Sequence, residues 1–332
     1  MSMEALVKSR GYPAQLCYHV DDESKVGEAR RAAQAMANYE FDAQVAGRVA
    51  IVATELANNL LRHAGGGELL VQTLGTDAQS VVEILAIDRG PGMADVERCM
   101  TDGYSTVGTP GTGLGAVRRL ADEFDIHSAP GQGAVVMARF GNALDTRFGA
   151  ISVPMPGEVE CGDAWHIVSD NGRVAIMMID GLGHGAFAAE AAQAGIDAFV
   201  QSPWAEPQQL MQLAGAAMSR TRGGAAACAQ ISGDKLSYSG IGNISGSLIT
   251  HEKSQGLVSH AGTLGMQVRR AQQFEHLRLP GALLVMHSDG LSARWSFKDQ
   301  PTVFAHHPAI VAALLYRDHA RHRDDATVVV IA

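Results

Sequence analysis

Thr54-Glu55-Leu56-Ala57-Asn58-Asn59-Leu60-Leu61-Arg62-His63-Ala64-Gly65 decides how the first part of this chain folds. Its apolar residues continue a pattern in which Val45, Val49, Val52, Leu56 and Leu60 recur on one face, which predicts a helix from about Ala43 to His63. Glu55, Asn59 and His63 then stand at i, i+4 and i+8 and share one polar stripe. A carboxylate there can act as a general base, and an Asn carbonyl can ligate the magnesium of a nucleotide. Solvated amphipathic helices carry similar stripes, so the helix alone does not decide.

Downstream, Gly65-Gly66-Gly67 ends the helix and Glu68 to Leu74 reads as a strand. A second strand, Ser80 to Ile87, runs into the turn Asp88-Arg89-Gly90-Pro91-Gly92. An acceptor at such a strand end can receive the exocyclic amine of adenine, and the glycines let a flat ring approach the backbone. A short helix near Ala94 to Met100 and a Gly- and Thr-rich loop from Asp102 to Thr112 follow. Gly111-Thr112-Gly113-Leu114-Gly115 then opens a helix near Leu114 to Glu123, where bare backbone N–H groups can cradle phosphates. The cluster lacks the Lys-Ser/Thr ending of a P-loop and the βαβ setting of a Rossmann fingerprint. Phe124 to Ser128 and Ala134 to Phe140 read as a hairpin around Pro130-Gly131-Gln132-Gly133.

The order and spacing of these clusters resemble the N, G1 and G2 boxes of the GHKL (Bergerat) ATPase superfamily, and within it the RsbT-type serine kinases of the stressosome pathway. Asp102-Gly-Tyr-Ser-Thr106 and Leu120-Ala-Asp-Glu-Phe-Asp-Ile126 extend the likeness, which covers about residues 40 to 140. The resemblance implies Glu55 as catalytic base, Asn59 as ligand of the Mg²⁺ that accompanies ATP, and Asp88 as adenine anchor. It implies further nucleotide contacts from His63, Gly90, Gly92, Thr106, Gly111, Thr112, Gly113, Leu114 and Gly115, with Asp102 to Gly115 as the ATP lid. It also implies a small STAS-domain antagonist protein as the substrate whose serine is phosphorylated. Sensor histidine kinases share the pocket but need an upstream helical hairpin bearing a phosphoacceptor His. His19, in Cys-Tyr-His-Val-Asp-Asp, has a poor context for that role.

The second half places acidic residues in turns: Asp163, Asp180 in Asp180-Gly181-Leu182-Gly183-His184-Gly185, Asp289 in Ser288-Asp289-Gly290, and Asp324-Asp325-Ala326-Thr327. One Asp-Gly is an ordinary turn dipeptide. Several gathered from distant strands suit hard divalent ions, and a metal pair can ionise a water for in-line attack on phosphorus. With Gly240-Ile-Gly-Asn243 they resemble the PPM-type phosphatases of the SpoIIE/RsbU/RsbX branch, from about residue 153 onward. The resemblance implies two Mn²⁺ or Mg²⁺ ions, with Asp180 bridging both and acting at the catalytic centre, helped by the Gly181 carbonyl. Asp163 is then implied on one ion, and Asp289 and Asp324 on the other. Eukaryotic members carry a His directly after the metal-binding Asp-Gly; here Leu182 stands there and His184 follows, so its role stays open between general acid and turn residue. His306-His307 and His319/His322 read as solvated surface residues, lacking a partner at zinc spacing.

The chain has 332 residues, 46% hydrophobic and 18% charged, which suits two packed domains. A net charge of -9 argues against holding nucleic-acid backbones. Cys17, Cys99, Cys161 and Cys228 form no CxxC pair, which speaks against a disulfide framework or structural zinc. No apolar run suffices for export or for a membrane span, so a cytoplasmic protein is expected.

Periodicity lapses around Gly141 to Gly157, and the boundary is placed there. Beyond it Ala164 to Val168, Val174 to Ile179 and Ala326 to Ile331 read as strands, and Ala186 to Val200 as a helix. The expected fold is α+β: an N-terminal Bergerat (GHKL) α/β sandwich over residues 1–142, followed by a PPM-type αββα sandwich over residues 152–332. The function implied is that of a bifunctional signalling enzyme, phosphorylating and dephosphorylating serine or threonine on a STAS-domain antagonist in a bacterial partner-switching pathway. A downstream phosphatase or sigma-factor regulator is a further expected partner. The alternative is a nucleotide-gated binding module that regulates a phosphatase half, the sole active part.

Overall fold

The computed structural model describes residues 15–332 apart from 77–78, 102–112, 143, 145 and 267–270. They form two compact units, Gln15–Leu144 and a second that follows Leu144 and runs to Ala332.

The first unit is an antiparallel sheet in the order β1-β2-β3-β5-β4, built from β1 (Leu16–Val20), β2 (Gly67–Thr76), β3 (Gln79–Ile87), β4 (Glu123–Ser128) and β5 (Ala134–Gly141). Helices α1 (Glu23–Glu40) and α2 (Ala43–Asn59) cover one face. Their N-termini are set by Asp22 and Asp42, whose carboxylates accept the orphan backbone N–H groups of Ser24 and Lys25, and of Gln44 and Val45. Val49, Val52, Leu56 and Leu60 of the predicted stripe are buried against Leu69, Val71, Val82, Ile84 and Ala138. Short helix α3 (Val96–Cys99) and helix α4 (Gly113–Leu120) complete the unit.

Two differences from the sequence expectation concern the pocket helix and its neighbours. The α-helix stops at Asn59, and Leu60–Ala64 forms a π turn capped by Gly65 at φ 72°. The wider π winding turns His63 out of the i, i+4 stripe that Glu55 and Asn59 keep. The helix after the glycine cluster stops at Leu120 rather than Glu123. Arg48 of α2 takes the Leu120 carbonyl at 2.8 Å and grips both Asp122 oxygens at 2.8 and 3.2 Å, and Glu123 begins β4.

The second unit stacks two sheets. One runs β13-β10-β9-β8-β7 through β7 (Asp163–Asp170), β8 (Arg173–Gly181), β9 (Gly224–Ser232), β10 (Lys235–Ile241) and β13 (Ser259–His260), with β14 (Phe274–Leu277) also on β10. The other runs β12-β11-β15-β16-β6 through β6 (Phe148–Val153), β11 (Ser245–Ile249), β12 (Ser254–Leu257), β15 (Leu283–His287) and β16 (Ala326–Ile331). Phe148 meets Trp165 edge-on between the sheets. Helices α5 (Ala186–Gln201) and α6 (Pro207–Ala217) pack on the outer face of the first sheet over Ala175, Met177 and Ile179. Helix α7 (Pro308–His319) covers the second sheet so closely that a Cβ on Gly149 would lie 2.1 Å from the Ala309 Cα. The αββα layering expected from sequence is present, and β6 lies inside the stretch where sequence periodicity lapses.

His166 on β7 turns toward α5, 6.2 Å between ring centroids from Phe199. Burial pushes its pKa down to about 4, against an opposing pull from Asp197. The unfolded chain titrates such an imidazole near 6.5, so between about pH 6.5 and 4 the unfolded state binds the extra proton. Stability therefore falls as pH drops through that window, by about 3 kcal/mol at its lower end. His166→Phe should flatten the acid limb of the urea midpoint plotted against pH; an unchanged limb would show that another group causes it.

Candidate nucleotide pocket and metal centre

In the first unit Glu55 and Asn59 lie one turn apart near the C-terminal end of α2, where the N-terminus of α4 meets them. A Cβ on Gly113 would stand 3.3 Å from Glu55 Oε2 and 3.5 Å from Asn59 Oδ1. The absent side chain thus leaves a cradle between a carboxylate, an amide and the first N–H groups of a helix. That combination fits a magnesium-bound polyphosphate, whose charge the helix N-terminus favours. Arg48 holds the opposite end of α4, so an ion pair positions the helix that closes the cradle.

Asp88 leaves the end of β3 and is fixed by the backbone around it. Its Oδ1 accepts from Gly90 N at 2.8 Å and Ala134 N at 3.1 Å. The turn before Ala134 packs on the Asp88 loop: a Cβ on Gly133 would lie 2.2 Å from the Asp88 carbonyl. Gly92, at φ 68°, is equally confined, with a Cβ landing 2.0 Å from the Ala129 carbonyl. Gly92→Ala should cost roughly 2–4 kcal/mol, the sum of left-handed strain and a backbone clash. Urea unfolding measures this, and a loss below about 1 kcal/mol would mean that the loop yields freely.

Glu55, Asn59, Asp88, Gly90, Gly92 and Gly113 therefore border the same end of the sheet, with Leu114 and Gly115 in the first turn of α4. His63 is exposed in the π turn. Thr106, Gly111 and Thr112 lie outside the described residues.

In the second unit Asp163 and Asp180 face each other directly as register partners at the ends of β7 and β8. Burial first, then the Asp180 charge, raise the Asp163 pKa well above the usual carboxylate range, while Ser288 and Thr327 hydrogen bonds oppose the rise. Its Oδ2 is buried without a hydrogen-bond partner. Asp180 is pushed up to about 7, by burial and then by the charges of Asp289, Asp324 and Asp325. A buried, unmatched carboxylate oxygen among four further acidic residues suits divalent cations, which would hold the whole set ionised.

Asn243, in the turn between β10 and β11, donates to Asp289 Oδ2 at 2.7 Å and also hydrogen-bonds Asp180. It ties together carboxylates more than a hundred residues apart in sequence. Asp325 does different work from its neighbour Asp324. It accepts from Met155 N at 2.8 Å and Gly162 N at 2.9 Å, so it fixes the loop that delivers Asp163. Gly181 passes so near α5 that a Cβ would lie 2.1 Å from the Ala188 carbonyl.

His184 is exposed and pairs with Glu158 through Nδ1 at 2.7 Å, at the entrance to α5. Arg222 stands over the exposed Phe187 ring at 5.0 Å, with its Nη1 3.1 Å from where a Gly183 Cβ would be. Glu158 and Arg222 had no sequence signal, because each meets the Asp180–Gly185 turn only through folding.

A helix-roofed antiparallel sheet with an acid–amide cradle, joined to an αββα sandwich with an acidic centre, defines a two-domain protein with a nucleotide-type pocket in one half and a metal-type centre in the other. The histidine kinase-like ATPase domain family matches residues 20–139, and the stage II sporulation protein E (SpoIIE) family matches residues 170–332. The serine/threonine-protein kinase RsbT of Bacillus subtilis (strain 168) is 33% identical over 125 residues, which cover 37% of this chain and 94% of RsbT. A solved structure described as "The bacterial stressosome: a modular system that has been adapted to control secondary messenger signaling" aligns with a TM-score of 0.53 and 23% identity, over 57% of this chain and 100% of its own.

The chain belongs to the RsbT-related histidine kinase-like ATPases, and its second half carries a domain that the SpoIIE family matches. Among the described residues no helix is long and apolar enough to cross a membrane.

Proposed function

We propose that the two halves, drawn at residues 1–142 and 152–332 with β6 added to the second, write and erase one phosphoryl group on a STAS-domain antagonist. The observation that supports this most strongly is their covalent union: an RsbT-like domain and a SpoIIE domain share one chain. A shared chain places opposing activities at equal concentration beside a common partner.

In the first half Asp88, locked by Gly90 and Ala134, accepts from the adenine amine. The N-terminus of α4 and Asn59 take the polyphosphate and its Mg²⁺, and Glu55 receives the proton of the attacking serine hydroxyl. In the second half Asp163, Asp180, the Gly181 carbonyl, Asp289 and Asp324 would hold two Mg²⁺ or Mn²⁺ ions. Such ions, when bound, supply an acidified water and stabilise charge on the phosphoryl oxygens. Asn243 orients Asp180 and Asp289, Asp325 braces the Asp163 loop, and Arg222 offers the phosphoserine a cation at the rim.

The test is the intact mass of a STAS-domain antagonist protein after incubation with the full chain. Mg-ATP should add one phosphoryl group, and removal of ATP in the presence of Mn²⁺ should return the original mass. Phosphate loss without any ATP-dependent gain would favour the nucleotide-gated module instead.

A further inference from the structure

The edge strand β1 carries a second group of metal-ligating side chains, remote in chemistry from the acidic centre. Leu16, Tyr18 and Val20 pack beneath the helices, so Cys17 and His19 project from the other face of the sheet. Glu68 of β2 is the register partner of His19 on that face. The Cys17 sulfur, a His19 ring nitrogen and a Glu68 oxygen all lie within 4.8 Å of one another. Among the described residues no other trio of such groups does so.

We infer that Cys17, His19 and Glu68 form a binding site for a zinc-class transition-metal ion, distinct from the hard-cation centre of the phosphatase half. The His19–Glu68 edge has the length of one edge of a coordination tetrahedron, and the Cys17 sulfur lies within 4.8 Å of both. Nitrogen and oxygen ligands about 2.0–2.1 Å from a tetrahedral zinc lie about 3.3–3.4 Å apart. His19 Nδ1 and Glu68 Oε1 stand 3.3 Å apart.

The ligand set chooses the ion. A thiolate beside an imidazole suits Zn²⁺, whereas Mg²⁺ and Mn²⁺ prefer oxygen alone. A cysteine thiol ordinarily keeps its proton near neutral pH. Binding forms the sulfur–metal bond, breaks the S–H bond and releases its proton to solvent. The His19 side chain is 75% exposed, which leaves the fourth position open to water or an incoming donor. A loaded site would staple the edge strand β1 to β2.

The test titrates the metal-stripped full chain with Co²⁺. A cobalt–thiolate bond gives a near-ultraviolet charge-transfer band that an all-oxygen centre lacks, so the two sites are read separately. One equivalent of the band should appear, vanish in Cys17→Ser, and be displaced by Zn²⁺ but not by Mg²⁺. His19→Ala, at an exposed position that keeps the fold, should weaken binding by about 100-fold or more, since even outer-sphere partners are worth 10–100-fold. No band in the wild-type chain, a band that survives Cys17→Ser, or unchanged affinity in His19→Ala would overturn the site.

Discussion

Asp180→Asn should lower phosphate release from a phosphoserine protein by about 10³-fold or more while the chain stays folded and binds ATP. Loss of an outer-sphere partner already costs 10–100-fold at a metal site, and a carboxylate placed to serve two ions should cost more. That place is the one proposed for Asp180, which faces Asp163 across β7 and β8 and feels the charges of Asp289, Asp324 and Asp325. The fold should tolerate the change because the amide has the same shape and carries no charge. The sign of the titration supports this. With its pKa raised to about 7, Asp180 binds a proton in the folded, metal-free state that the unfolded chain has already lost. Stability of the metal-free unit therefore declines as pH rises from about 4 to 7, and Asp180→Asn should remove part of that decline. Phosphate release at saturating Mn²⁺ within tenfold of wild type would sink the assignment.

Asn59→Asp should abolish ATP-dependent phosphorylation of the partner, a loss of roughly 10²–10³-fold, comparable to deleting one donor from a preorganised anion site. Its amide lies one helical turn from Glu55 and against the open Gly113 position at the start of α4. A second carboxylate there would repel the polyphosphate and the neighbouring Glu55. The helix should survive, since Asn59 is its last residue and only half-buried. Transfer at the wild-type rate, read as partner mass, would place the nucleotide elsewhere.

Both expectations began in the sequence, and the reasons why differ between the halves. The α2 stripe was legible because large residues such as Val49, Val52 and Leu56 mark its buried face. Helix α1 was missed because its buried face is mostly alanine: Ala29, Ala32, Ala33 and Ala37 leave little contrast between faces. Strand β1 was missed because five residues, Leu-Cys-Tyr-His-Val, carry too short an alternation to stand out. Strand β6 contains Gly149 and runs up to Pro154, punctuation that suggested a domain boundary, yet its partner β16 and helix α7 bury most of it.

The acidic residues of the centre could be named singly because Asp180-Gly181 and Asp289-Gly290 are turn dipeptides visible locally, as are Gly162-Asp163 and the Asp324-Asp325 pair. Their mutual placement was not, since Asp163 meets Asp180 by strand register and Asp289 meets Asn243 across 46 residues. The sequence also set cysteine–metal chemistry aside for want of a CxxC pair. Cys17-Tyr18-His19 acquires its meaning only when a strand puts alternate residues on one face and Glu68 arrives from β2.

The claim that both halves act on one serine is tested most directly by a relay between the two variants. The Asp180→Asn chain, left with the writing activity, phosphorylates the STAS-domain partner from Mg-ATP, and peptide mapping locates the modified serine. That product, freed of ATP, is then given to the Asn59→Asp chain with Mn²⁺. The mapped phosphoserine should be returned to serine. A phosphoserine that persists, while the same Asn59→Asp chain still hydrolyses other phosphoproteins, would contradict that claim.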